Sequence, residues 1–125
     1  MTLNLLIVGL SGFFGSIARY LVYIYFGPRN ATSFPWATFF VNVTGCLLIG
    51  IIGALIERSV PYHRHLYLVG SVGFLGAFTT FSAFGLETIS LLRNQQSLLA
   101  LMNVGANLVL GFVAVVVGRF LATQL

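Results

Sequence analysis

The sequence predicts an all-α membrane protein with four transmembrane helices. Three observations carry that reading. First, 58% of the 125 residues are hydrophobic and 6% are charged, whereas soluble domains carry roughly a quarter charged residues. The same composition excludes a disordered chain, which needs low hydrophobicity and high charge. Second, the charges are six arginines and two glutamates, Glu57 and Glu87, with no Lys or Asp. Third, they leave four long uncharged stretches, residues 1–18, 30–56, 66–86 and 94–118, and a bilayer crossing takes about 20 apolar residues. The chain therefore reads as one four-helix transmembrane domain spanning 1–125, with helices at about 2–26, 35–57, 66–92 and 97–122. Its place is the cell (inner) membrane, as a multi-pass protein among lipid. The net charge of +4 comes from loop and helix-end arginines rather than a basic patch, so nucleic acid is not an expected partner.

Each element has a local reason. The first stretch is longer than a signal-peptide core and no A-x-A site follows it, so it reads as a retained helix. Gly27-Pro28 ends it, and 29–33 is a polar loop. The second helix opens near Pro35-Trp36, with Ser33 placed as a cap and Pro35 suited to a first turn. Trp36 stands where an interfacial anchor belongs. The loop 59–65 holds Pro61 and both histidines, His63 and His65, which read as solvated loop residues, with a metal site as the rarer reading. The third helix ends near Leu92, and 93–96 turns into the fourth. Cys46 is the single cysteine and lies mid-helix, so there is no disulfide framework.

Four helices place both termini and the 59–65 loop on one side, with Arg58, Arg64 and Arg119; Arg29 and Arg93 lie on the other. Arginine and lysine bias sets orientation, and three against two is almost none. Either the chain inserts both ways and pairs antiparallel, or one orientation is set by other cues. Four helices alone are small for a transport path, so a homo-oligomer, most simply a two-fold dimer, is expected.

The chemistry concentrates in the third helix. Gly70, Gly73 and Gly76 weaken its first half, and Thr79, Thr80 and Ser82 are residues that cap a restarted helix. This predicts a break between about Gly76 and Thr80. Ten residues from Leu66 at about 1.5 Å each reach roughly 15 Å, half of a ~30 Å core, hence near the midplane. Freed carbonyls there suit a cation; the competing reading is a continuous helix with small residues for close packing. Phe81 and Phe84 share a face three residues apart, and a ring edge is positive enough to attract an anion, although lipid or core packing is the usual role of such a pair. In the second helix, Thr38, Asn42, Gly45/Cys46, Ile49/Gly50 and Gly53 form one face. Asn42 offers two amide donors to an anion or, equally, an interhelical hydrogen bond. Asn103 and Asn107 raise the same question, with the interhelical bond favoured. In the first helix Gly9, Gly12, Gly15/Ser16 and Arg19 line a small-residue face ending in a charge. Arg19 suits the mouth of an anion path or an ion pair with Glu87. Nucleophile–base sets, phosphate loops and Cys/His clusters are absent from the sequence, so no enzyme is expected.

The segments Gly12–Tyr20 (GFFGSIARY), Thr38–Gly45 (TFFVNVTG) and Gly73–Phe84 (GFLGAFTTFSAF) with Glu87 resemble the Fluc/CrcB family of fluoride channels over nearly the full length. The TTFS-x-F run after glycines is the most specific of them. The resemblance implies an antiparallel, dual-topology homodimer with two pores. It implies passive, chloride-rejecting export of toxic fluoride from the cytoplasm, with a structural, untransported Na⁺. It places Na⁺ on the carbonyls of Gly76 and Thr79. The fluoride path falls on Asn42, Phe81, Phe84 and Ser82, with Thr38 on the same track, Arg19 at a vestibule and Glu87 nearby. Ala77, Ala83 and Gly111 stand where the family commonly has Gly, Thr and Ser. The alternative, a small dual-topology multidrug or cation exporter, needs a membrane carboxylate, ideally in the first helix, where this chain has Arg19.

Overall fold

In the computed structural model, residues 1–27, 33–58 and 63–124 are described. Pro28, most of the first loop, Pro61 and the His63 side chain lie outside them. The elements are α1 (Thr2–Phe26), α2 (Trp36–Arg58), α3 (His63–Leu66), a π-helical segment (Tyr67–Leu75), α4 (Gly76–Phe78), α5 (Phe81–Arg93) and α6 (Ser97–Thr123). Four helical stretches are long and apolar enough to cross a membrane: Thr2–Phe26, Trp36–Arg58, Arg64–Arg93 and Ser97–Thr123. Large apolar side chains such as Leu5, Phe13, Leu98, Phe112 and Phe120 face outward, as lipid-facing positions of a multi-pass membrane protein should.

The helices associate as same-direction pairs, and glycine sets both seams. Along α1 and the third span, Gly12 lies against Gly73, Gly15 against Phe74 and Arg19 against Thr79. Along α2 and α6, Asn42 meets Asn107, Gly50 meets Val115 and Arg58 meets Ala122. Contacts that advance together in both partners mean parallel helices. A Cβ on Gly15 would fall on the Phe74 carbonyl, on Gly50 on the Val115 carbonyl, and on Gly118 on the Leu47 carbonyl. Close backbone approach of this kind is the means by which helices associate where lipid removes the hydrophobic drive. A small core of Val41, Leu75 and Phe78 fills the centre, flanked by Phe74, Leu48 and Ile52.

The third span departs from the expected α-helix in its first half, which is π-helical from Tyr67 to Leu75. Gly70 and Gly73 each cost an α-helix about 1 kcal/mol. Both are held by neighbours, Gly70 against Ile52 and Gly73 against Ser11, whose hydroxyl donates back to the Ile7 carbonyl at 2.7 Å. π turns are rare and gather at functional sites.

The helix ends are tied. Arg119 donates to both Glu57 carboxylate oxygens at 3.0 and 2.8 Å. Arg58 donates to the Ala122 and Thr123 carbonyls at 2.8 and 3.3 Å, the oxygens a helix C-terminus leaves without donors. Between α5 and α6, Gln96 N–H donates to the Leu91 carbonyl (2.8 Å) and Gln95 N–H to Leu92 (3.1 Å). Gln95 takes the left-handed position (φ 60) that glycine usually fills. At the start of α2, the Pro35 carbonyl accepts from Phe39 at 3.0 Å, so Pro35 lies just outside the first turn. Beside it Trp36 is exposed and packs with Phe34 and Phe39, a suitable interfacial aromatic group.

Candidate functional site

Helical geometry stops at Phe78 and resumes at Phe81. The intervening residues are extended, Thr79 at φ −80, ψ 161 and Thr80 at φ −152, ψ 116. Two side chains take over the hydrogen bonds that a continued helix would make. The Thr80 N–H, which would have gone to the Gly76 carbonyl, donates to Asn42 Oδ1 at 3.0 Å. The Ala83 N–H, which would have gone to the Thr79 carbonyl, donates to Thr80 Oγ1 at 3.2 Å. Thr80 is thus the N-cap of α5, and the carbonyls of Gly76 and Thr79 lose their helical donors. The Thr79 N–H and hydroxyl both donate to the Leu75 carbonyl at 3.0 Å, which closes α4. Gly45 leaves room for the Thr79 methyl group, which a Cβ there would overlap.

Asn42 holds this junction from α2. Its Nδ2 donates to the Thr80 carbonyl (3.2 Å) and to Asn107 Oδ1 (3.3 Å) while its Oδ1 accepts from Thr80. Both amide protons therefore serve interhelical bonds. The chain of contacts continues: Asn107 donates to the carbonyl and Oδ1 of Asn103, each at 2.9 Å, and Asn103 donates to Thr88 Oγ1 at 2.9 Å. Thr88 in turn donates to the Phe84 carbonyl at 2.8 Å. Asn103 is completely buried. Amides in so apolar a setting need partners, and here they bind α2, α5 and α6 together.

One helical turn away on α2, the buried Thr38 hydroxyl donates to Glu87 Oε1 at 2.8 Å and lies 2.9 Å from the Tyr23 hydroxyl. Arg19 reaches the junction from α1, donating from Nη1 to the Thr79 carbonyl at 3.3 Å. The expected alternatives for Arg19, an aqueous mouth or Glu87, are thus joined by a third partner, the backbone oxygen itself.

At the restart, Phe81 projects with 83% of its surface exposed, its ring centroid 5.6 Å from that of Phe84. The exposed Ser82 hydroxyl lies 3.2 Å from Thr80 Oγ1. A cleft of about 360 Å³ gathers Asn42, Gly45, Cys46, Gly76, Thr79, Thr80 and Phe81 on one wall system. The structure thus brings Asn42, Gly76, Thr79 and Phe81 together, with Phe84 attached through its ring and Ser82 through Thr80. Thr38 and Glu87 form a separate contact on the same face of α2. Sequence reasoning did not reach the Asn103–Thr88 extension, although the four-residue spacing of Asn103 and Asn107 signalled a shared face, and Tyr23 carried no signal at all. Among the described residues no group of three or more His, Cys, Asp or Glu comes together.

Comparison with known proteins gives a consistent result. The profile of the family described as "CrcB-like protein, Camphor Resistance (CrcB)" matches residues 6–119. A protein of Nitrobacter winogradskyi named fluoride-specific ion channel FluC is 42% identical over 120 residues, covering 94% of this chain and 90% of its own. The protein of that name from Rhizobium meliloti is 39% identical over 115 residues, 92% of each chain. That from Ruminiclostridium cellulolyticum is 34% identical over 120 residues, 96% and 92% of the two chains.

Proposed function

This chain belongs to the CrcB family, and from that membership and the geometry of residues 76–84 we propose that it is a fluoride-specific ion channel of the cell membrane. The observation that carries the proposal is the restart of the third span at Thr80. There the exposed Phe81 ring with the half-buried Phe84 beside it, an exposed hydroxyl and an amide-held backbone lie together, while the charged Arg19 is engaged one residue away, at the Thr79 carbonyl. The residues explain how such a path works. Fluoride gives up water only to strong donors or positive ring edges, and conduction requires that no contact hold it too firmly. The Phe81 and Phe84 edges offer attraction without fixed charge. The exposed Ser82 hydroxyl supplies a donor whenever the Thr80 hydroxyl, 3.2 Å away, donates to it and leaves its own proton free. Asn42 holds the Thr80 backbone in place, so its contribution to the anion is positional in this arrangement.

The finer reading is an antiparallel dual-topology homodimer with two pores that exports fluoride passively and rejects chloride. The three-to-two arginine balance supports dual topology, and the extensive apolar outer surface leaves a face for a second copy. Na⁺ is taken as a structural ion. The carbonyls of Gly76 and Thr79, deprived of helical donors by Asn42 and Thr80, are hard oxygens that suit it. When bound it would neutralise the negative ends of those carbonyls near the midplane. Thr38, Glu87 and Arg19 flank the path as its polar surroundings.

The test is fluoride efflux from liposomes carrying the purified protein, read with a fluoride electrode. Rapid fluoride efflux without chloride efflux, and without any proton gradient, is expected. Retained fluoride in liposomes that demonstrably contain folded protein contradicts the proposal.

A further inference from the structure

We infer that Arg19 is a built-in rival for the cation at the Thr79 carbonyl and sets how tightly that cation binds; the inference rests on the reading of the Gly76 and Thr79 carbonyls as a cation site. The Thr79 oxygen is deprived of its helical donor because Ala83 N–H goes to Thr80 Oγ1, and Arg19 Nη1 donates to it instead at 3.3 Å. The arginine is delivered there by the backbone. α1 runs parallel to the third span, Gly15 lies flat against the Phe74 carbonyl, and one further turn of α1 brings residue 19 level with Thr79. The height of the guanidinium is therefore fixed by a seam that tolerates no side chain.

A carbonyl oxygen has two lone pairs, so a guanidinium and a metal cation are able to share it. Sharing is unfavourable because hard cations sit roughly 2.3–2.6 Å from their oxygens, which leaves two positive charges within about 5 Å of each other. At the effective dielectric of protein sites, that repulsion weakens cation binding about tenfold or more. Arg19 also supplies part of what the cation would supply, a positive partner for an oxygen with no helical donor. Its consequence is a site held deliberately short of its tightest affinity, with the arginine taking the oxygen whenever the metal leaves.

The experiment measures the thermal unfolding midpoint of the purified full-length protein as NaCl replaces N-methyl-D-glucamine chloride at constant ionic strength. It compares wild type with Arg19→Gln, Arg19→Met and Arg19→Lys. The Gln and Met variants are expected to reach half-maximal stabilisation at a Na⁺ concentration at least about tenfold lower than wild type, whereas Lys stays within about threefold. Met serves if Gln does not fold. A wild type without Na⁺ response whose Gln or Met variant acquires one also supports the inference. Equal half-maximal concentrations in wild type and neutral variants overturn it and leave the cation reading intact. Loss of the Na⁺ response in the neutral variants overturns it too, by making Arg19 a helper. No response in any variant overturns both the inference and the cation site.

Discussion

The two halves of α2 meet their neighbours by opposite means. From Gly45 to Ala54 the helix packs through what it lacks: Gly50 lies against the Val115 carbonyl and the Leu47 carbonyl against Gly118, backbone to backbone. From Thr38 to Asn42 it packs through what it adds, a hydroxyl on Glu87 and an amide that holds Thr80 and Asn107. The first half fixes the position of α2 and α6; the second fixes the conformation of a chain that has left the helix. The difference teaches that the non-helical junction is held by a few polar contacts standing on a rigid apolar seam, so the two should fail differently.

The largest expected effect breaks the seam. In Gly118→Val, a side chain must enter where even a Cβ overlaps the Leu47 backbone. Backbone cannot yield as a side chain does, and the expected cost is about 3 kcal/mol or more, measured as loss of monodisperse protein or a collapse of the thermal midpoint. Asn42→Leu comes next. It strands the Thr80 N–H and the Asn107 oxygen, an expected loss of about 2–3 kcal/mol, seen as a lower denaturation midpoint with flux abolished. Thr80→Val keeps the shape but removes the acceptor of the Ala83 N–H. A lost N-cap of this kind costs about 1 kcal/mol by the same measurement. Gly105→Ala inverts the sign. A Cβ there meets nothing within 4 Å, so helix propensity should raise stability by up to about 1 kcal/mol, which marks that glycine as outside either seam.

Much of the fold was legible from charge alone, because eight ionised groups in an apolar chain have few places to be. The rows Gly9–Gly12–Gly15 and Asn42–Gly45–Gly50 pointed to packing faces. They could not say which helix lies opposite: a glycine states that something approaches closely, not what. The π-helical form of 67–75 was invisible because Gly70 and Gly73 weaken an α-helix without naming its replacement. At the site, residue type indicated that Thr80 or Ser82 would cap a helix. Only the fold reveals that Asn42 spends both amide protons on Thr80 and Asn107, and that Arg19, 60 residues from Thr79, reaches its carbonyl. Long-range partners of this kind depend on the parallel pairing of spans, which no local pattern encodes.

The central claim is that Phe81, exposed at the restarted helix, carries fluoride together with its neighbour Phe84 while itself contributing little to the fold. Phe81→Ile tests it most directly, because a ring that is 83% exposed has little packing to lose. The measurement is fluoride efflux from liposomes containing equal amounts of wild-type and Phe81→Ile protein, with the thermal midpoint of each taken in parallel. The account predicts a midpoint close to wild type and fluoride efflux reduced at least about a hundredfold, the loss of roughly 2.7 kcal/mol of barrier stabilisation. Wild-type efflux from the folded variant contradicts it.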